Sequence, residues 1–306
     1  VINLHGDSNK KERSPDGLPD KNVFDIKQGV SITIAVKSGK MASPANVYVA
    51  DVWGSRQKKY DFLSYRTLET TEFQEAYFHD DYHFFTRKDF RDADAYGEGM
   101  KLDELFTFGL SGIKFRKDKL LITSNFTRPD AVQMALDVVN MEQTSLLKKY
   151  SFSETKDWKL DEQRVNFQNP DHNDFTRIAY RPLDWRWTFY PVDRINRIIP
   201  RGDSRRGLMR HMLNVENIAL ISGRQNKSGF ITHFFVSDCP TEMKTGESTI
   251  QSYHFPLYLY PDEQDLDQTR RVNFDPKLYK RLQTLAKHPT HGTPDEVQVF
   301  DYIYGV

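Results

Sequence analysis

Apolar residues crowd two stretches near the start of the chain, VFDIKQGVSITIAVKS (23–38) and ANVYVADVWG (45–54), with a Ser-Gly-Lys turn between them. Two β-rich runs joined by a short turn predict an antiparallel hairpin, and their nearly continuous apolar character predicts a sheet covered on both faces. No helical spacing lies between them, and the segment lacks the Gly-rich first turn of a nucleotide-binding α/β unit. If the segment belongs to an α/β sheet, it is the trailing edge of one.

The pattern changes after residue 66. EFQEAYFHDDYHFFTRKDF (72–90) is aromatic and partly amphipathic, and KLDELFTFG (101–109) predicts a short helix. DAVQMALDVVNMEQTSLLKKY (130–150) carries apolar residues at i, i+3, i+4 and i+7, the spacing of a longer helix, with Asp130 after Pro129 as its N-cap. Between 166 and 262 short aromatic strands alternate with Pro, Gly and Asn. NIALISG (217–223) and FITHFFVSD (230–238) flank Arg-Gln-Asn-Lys-Ser-Gly, the pattern of a hairpin with a basic loop. PKLYKRLQTLAKH and TPDEVQVFDYIY predict two closing helices.

Composition narrows the class. The chain has 306 residues, 13% of them aromatic and 38% hydrophobic, too many for disorder and enough for a sizeable core, with two domains as the expectation from length. No apolar run approaches the ~18 residues of a membrane span. VINLHGDSNKKER lacks the apolar centre of a signal peptide, so a cytoplasmic location without membrane attachment is expected. The lone Cys239 excludes an internal disulfide and a Cys-rich zinc site. The absence of an initiator Met, a strand under way at Val1-Ile2-Asn3-Leu4 and an uncapped final helix lead to the expectation of a fragment.

The zero net charge is unevenly distributed. From Arg177 to Lys227 there are ten arginines and one lysine against Asp184, Asp193, Asp203 and Glu216, an excess of seven positive charges that the rest of the chain offsets. Arginine's planar fork suits bidentate contact with phosphate or guanine edges. Gly202-Asp203-Ser204 is a helix-start signal, after which Arg206 and Arg210 share one helical face while Leu208, Met209, Met212 and Leu213 form the buried one. The competing reading is a structural network in which these arginines pair with nearby acids.

Other constellations are weaker. His79 and His83, with Asp80 and Asp81 between them, could share a helical face as metal ligands do, but no HExxH-type base accompanies them, and polar side chains facing water are the simpler reading. Gly97-Glu98-Gly99 follows no strand, so it is no cofactor loop. Asp262-Glu263 lacks the lysine of a nuclease site, and Cys239 has no base beside it.

An ordered series of motifs carries a resemblance. Asn3-Leu4-His5-Gly6 and NVFDIKQGVSITIAVK are followed by YHFFTRKDF, SGIKFRKD (111–118), TKDWKL (155–160), YRPLDWRWTFY (180–190), MRHML, SGRQ, HFFVSD and FPLYLYPD. Together they resemble Type ISP restriction–modification enzymes and related adenine-N6 DNA methyltransferases, from the rear of the methyltransferase domain through the target-recognition domain. Phe115, Lys117 and Leu183 depart from that family's usual Thr, Gly and Phe.

The resemblance implies an α+β (mixed α/β) chain in three parts. Residues 1–66 would be the trailing β-hairpin of a methyltransferase sheet, 67–270 an α+β target-recognition domain, and 271–306 a short helical tail. Its partners would be double-stranded DNA and the upstream methyltransferase and helicase/nuclease domains of the same polypeptide. S-adenosylmethionine, ATP and Mg would serve the parent enzyme. This segment would bind no cofactor or metal and hold no catalytic residue, because the Asn-Pro-Pro-Tyr-type motif is absent and the lone Asn-Pro is Asn169-Pro170, followed by Asp-His. A base is taken out of the stack for such chemistry, which would belong upstream. Within this reading Lys114, Arg116, Lys117, Arg205, Arg206 and Arg210 are candidates for phosphate, and Arg224, Gln225 and Lys227 for base edges. Arg181 and Arg186 are either DNA contacts or an internal brace on Asp184. The alternatives from other classes are a protein-interaction scaffold docking an acidic partner and a metal-dependent nuclease module built on His79 to His83.

Overall fold

The computed structural model describes residues 1–37, 39, 45–77, 83–224, 234–262 and 264–305. The chain divides into two compact units, Val1–Gly99 and Met100–Val306. The break between the compact units lies between Gly99 and Met100, and the two closing helices belong to the second.

In the first unit, β1 (Ile2–His5) is an inner strand of a four-stranded sheet. It pairs antiparallel with β2 (Val30–Ile32) and parallel with β3 (Tyr48–Asp51), and β3 pairs antiparallel with β4 (Gln74–Glu75). The two runs predicted to form a hairpin thus flank β1 and do not pair with each other. A strand supplied by the first residues takes the position between them, which the local turn signal could not reveal. Among the described residues three of the long apolar run join the ladder, and Ile32, Ile34 and Val36 are exposed, so the predicted two-sided covering is absent among them. Gly6 has a φ of +87°, and a Cβ there would lie 2.5 Å from the Asn22 Cα; the turn out of β1 therefore needs glycine. His5, just before it, is bracketed by Glu12 at 3.0 Å and Asp51 at 2.8 Å. Helix α1 (Arg56–Tyr65) follows β3, capped by the Ser55 hydroxyl, and buries Lys59 completely. The Lys59 ammonium donates to the Leu4 and Lys21 carbonyls and to Asp20 Oδ2, each at 2.6 Å. A short α2 (Ala93–Gly97) closes the unit.

The second unit has two cores. Helix α3 (Leu102–Leu105) leads into β5 (Leu110–Ser111) and α4 (Asp118–Leu121). Helix α5 (Arg128–Asn140) buries Ala131, Met134, Ala135 and Val138, the one-face spacing read from the sequence. Its N-cap is Thr127, not Asp130: the Thr127 hydroxyl accepts from the Asp130 N–H while the Asp130 carboxylate accepts from the Thr127 N–H, a capping box with Pro129 in the first turn. The helix stops at Met141, and a separate α6 (Gln143–Tyr150) starts under a Glu142 cap, so the predicted single helix is two. After α7 (Leu160–Arg164), strands β6 (Phe175–Arg181) and β7 (Asp184–Phe189) form a hairpin whose Phe175, Ile178 and Phe189 pack into the α5 core.

Helices α8 (Ile195–Ile198) and α9 (Arg206–Met209) are single turns. Leu208, Met209, Met212 and Leu213 are buried as expected, but Asp203-Ser204 does not cap the helix; Arg205, left-handed at φ +54°, occupies that position, and the turn tightens to 3-10 geometry over Arg210–Met212. A four-stranded antiparallel sheet runs β5, β10 (Ser252–Pro256), β8 (Ala219–Gly223), β9 (Phe235–Ser237). The β8–β9 pairing is the hairpin foreseen around the basic segment. Strands β11 (Tyr258–Leu259) and β12 (Arg271–Val272) pair beside it. Helices α10 (Pro276–Leu285) and α11 (Glu296–Gly305) complete the second core, where Val299 and Phe300 join Leu105, Phe106, Phe255 and Phe274.

Candidate nucleic-acid interface

Much of the arginine excess is answered by acids that the fold brings from elsewhere. Arg177 chelates Asp238 at 2.5 and 2.6 Å, Arg194 reaches Asp174 at 3.0 Å, and Arg201 pairs with Asp157. The structural network and the basic surface weighed as alternatives therefore coexist. Arg197 and Arg206 are exposed and form no ion pair among the described residues.

A second group of cations lines a cleft of about 630 Å³ between residues 114–119, 151–155 and 242–244. Backbone pairing shapes it: the Ile113 N–H donates to Thr241 O and the Met243 N–H to Ile113 O, each at 2.8 Å. The approach is so close that a Cβ on Gly112 would lie 2.7 Å from the Glu242 carbonyl, a distance only glycine permits. Lys114, Arg116, Lys117, Lys119 and Lys244 contribute positive charge; Asp118 and Glu242 oppose it. Burial pushes the Glu242 carboxyl up, against the Lys244 N–H and the Arg181 guanidinium that favour its charge. Burial also raises Asp118, with Arg181 acting in the opposite direction.

The residues singled out in the sequence separate here. Lys114, Arg116 and Lys117 meet in the cleft, but only Lys114 has an ammonium without an ion pair or hydrogen bond among the described residues. The Arg116 Nε donates to Asp203 at 2.5 Å, and Lys117 is buried, donating to Ser153 O at 2.6 Å over the Trp158 ring. Burial holds the Lys117 ammonium below its ordinary pKa, and Glu154 partly restores it. Arg205 donates to the Ser111 hydroxyl at 3.1 Å and Arg210 to Asp262 at 3.3 Å, while Arg206 faces solvent. Arg224 lies over the Tyr253 ring, 4.4 Å from its centroid, with Asp103 at 3.8 Å. Gln225 and Lys227 lie outside the described residues, as do Glu263 and residues 79–82 of the His-Asp cluster.

Among the described residues the brace on Asp184 comes from Arg186, through Nε at 2.5 Å and Nη2 at 3.0 Å. Arg181 turns away to Glu242. Lys119 and Lys244 went unremarked in the sequence: Lys119 continues the Lys-Phe-Arg-Lys-Asp-Lys run and was legible, whereas nothing local marks Lys244. Among the described residues no group of His, Cys, Asp or Glu could hold a metal ion, and no helix is long and apolar enough to cross a membrane.

The family model of the Type ISP C-terminal specificity domain matches residues 104–306. The chain belongs to this family. The specificity-domain match begins just inside the second compact unit and includes the cleft, the β6–β7 hairpin and both closing helices.

Solved structures agree in fold over nearly the whole chain. The ATP-dependent Type ISP restriction-modification enzyme LlaBIII bound to DNA has a TM-score of 0.58 at 17% identity, covering 99% of this chain and 20% of its own. The DrdV–DNA complex gives 0.59 at 16%, covering 100% and 30%. A nuclease-deletion mutant of the Type ISP enzyme LlaGI, in complex with a DNA substrate mimic, gives 0.52 at 16%, covering 94% and 28%. The chain thus spans less than a third of each of these relatives. No match is found among curated proteins.

Proposed function

We propose that this chain recognises a specific sequence in double-stranded DNA and presents it to an adenine-N6 methyltransferase and a nuclease of the same restriction–modification polypeptide. One observation carries the reading: in a specificity-domain fold, Lys114, Lys119 and Lys244 line one cleft and make no ion pair among the described residues. Unpaired cations converging from segments far apart in sequence are what a phosphate backbone requires. The similar enzymes solved in complex with DNA or a DNA substrate mimic support the same partner.

In this reading residues 1–66 complete the methyltransferase sheet, and S-adenosylmethionine, ATP and Mg act elsewhere in the parent. The first unit lacks the Gly-rich strand-to-helix turn that would cradle S-adenosylmethionine: β1 runs through Gly6 into an irregular loop and an antiparallel partner, and β3 reaches α1 through Trp53-Gly54-Ser55 with a single glycine. Arg224 remains the candidate for a base edge, with Gln225 and Lys227 beside it in sequence.

Equilibrium binding to a random-sequence duplex pool across a salt series tests the proposal. A steep log-linear fall in affinity with salt, and enrichment of one short asymmetric motif in the bound fraction, are expected. Absence of binding at low salt overturns it and favours an acidic protein partner.

A further inference from the structure

The β6–β7 hairpin ends in a turn that the fold does not explain. Arg181 pairs with Asp184, leaving Pro182 and Leu183 at the tip. Leu183 has a φ of +59°, the left-handed region, at a turn position after proline where Gly or Asn ordinarily sits. Its side chain is 85% exposed, so the strain is not offset by burial. An L-residue with a large apolar side chain, held out in solvent in a conformation that disfavours it, points to a use outside the folded chain.

The surroundings specify that use. The tip is stiff: Arg186 chelates Asp184 and donates to Thr123 O at 2.8 Å, and the Trp187 N–H donates to Asn125 O at 2.8 Å. It is flanked by cations over aromatic faces, the Arg186 guanidinium 3.7 Å from the Phe126 centroid and that of Arg181 3.9 Å from Tyr180. Phe126 and Trp185 are themselves exposed, so the tip is apolar at its point and along its flank, while the two arginines at its base are each held by a carboxylate, Asp184 and Glu242. Arg181 also ties the tip to the basic cleft through Glu242, which lines that cleft. A rigid apolar point next to a groove with unpaired lysines is complementary to stacked bases flanked by phosphates.

We infer that Leu183 is a wedge that enters between adjacent base pairs of the bound duplex and unstacks them. The inference rests on the DNA reading above. Apolar side chains used in this way kink the duplex, and an opened step lowers the cost of extruding a neighbouring base.

The test maps thymine unstacking with permanganate on a pool of linear duplexes with random cores, comparing free and protein-bound fractions at equal occupancy. Wild type and Leu183→Phe, which keeps a large apolar point, should raise thymine reactivity about fivefold at one step in the bound DNA, the step being partly unstacked. Leu183→Gly should return it to the free-DNA level and weaken binding roughly tenfold. Glycine accepts the positive φ, so this variant should melt at or above the wild-type temperature. A lower melting temperature would mean that Leu183 serves the fold, and unchanged reactivity in Leu183→Gly would mean that it opens no step; either result overturns the wedge and leaves DNA binding standing. Failure of wild type to bind any duplex at low salt overturns the DNA reading itself, and the wedge with it.

Discussion

Arg181 donates to Glu242 across 61 residues of sequence, Nη1 to Oε2 at 2.5 Å. The carboxylate is buried and the guanidinium about one-third exposed. The pair joins the β6–β7 hairpin to the wall of the basic cleft, and its two halves are unequal. Removing the arginine strands a buried carboxylate, whereas replacing the carboxylate by an amide leaves a neutral acceptor.

Arg181→Ala is therefore expected to destabilise the second unit by roughly 2 kcal/mol, and Glu242→Gln by less than half of that. Urea unfolding of both single variants and the double variant measures the coupling. Equal single losses would show that the carboxylate is not stranded by loss of its partner.

Changing Lys114, Lys119 or Lys244 to Gln should weaken binding to all duplexes alike while leaving stability within ~0.5 kcal/mol. Each should reduce the slope of log K against log salt by about 0.9. Arg116→Gln should differ, because its guanidinium holds Asp203 and its loss perturbs the cleft wall. A slope unaltered in all three lysine variants would place phosphate elsewhere.

Two buried histidines set the acid limit of the second unit. Burial holds His211 at about 4, with Arg210 and Arg271 adding to the effect, and His254 at about 3, with His211 nearby. Among the described residues His254 makes one hydrogen bond, to Thr241 at 3.1 Å, and its buried Nε2 has no partner there. Both folded values lie below the ordinary 6.5, so the unfolded chain takes up protons first. This contribution to stability is full above pH 6.5 and is lost as pH falls toward about 4 for His211 and about 3 for His254, with a limiting slope of about 1.4 kcal/mol per pH unit for each histidine. Urea midpoints measured from pH 7.5 to 4.5 should fall accordingly, and the fall should be shallower in His254→Gln. An identical profile in that variant would assign the acid sensitivity to other groups.

The capping box of α5 gives a local measure of helix stability. Thr127→Ala should cost about 1 kcal/mol and Thr127→Ser almost nothing, since only the hydroxyl accepts the Asp130 N–H. Thermal melts distinguish the two, and equal losses would point to the Thr127 methyl group instead.

Features determined locally were the ones legible in the sequence. The α5 face at 131, 134, 135 and 138 and the β8–β9 pairing follow from short-range periodicity and turn residues. The first hairpin was misread because β1 enters between two neighbours that look like partners. The arginine surplus was visible, but its cancellation was not: Asp238, Asp174, Asp157 and Glu242 lie outside the basic window and arrive only through tertiary packing. The cleft was legible in its 114–117 half, and the family was carried by an order of motifs, which survives substitutions that blur each motif alone.

Lys59 has one more consequence, for chemistry done on the protein. Its ammonium is fully buried and shared among Leu4, Asp20 and Lys21, so an amine-acylating reagent cannot reach it while β1, the following loop and α1 stay together. Lys114 and Lys119, reachable at the surface, would be labelled from native protein. Acylation of Lys59 would then serve as a clock that advances only when the first unit opens, while bound DNA would slow labelling at the cleft and leave that clock unchanged.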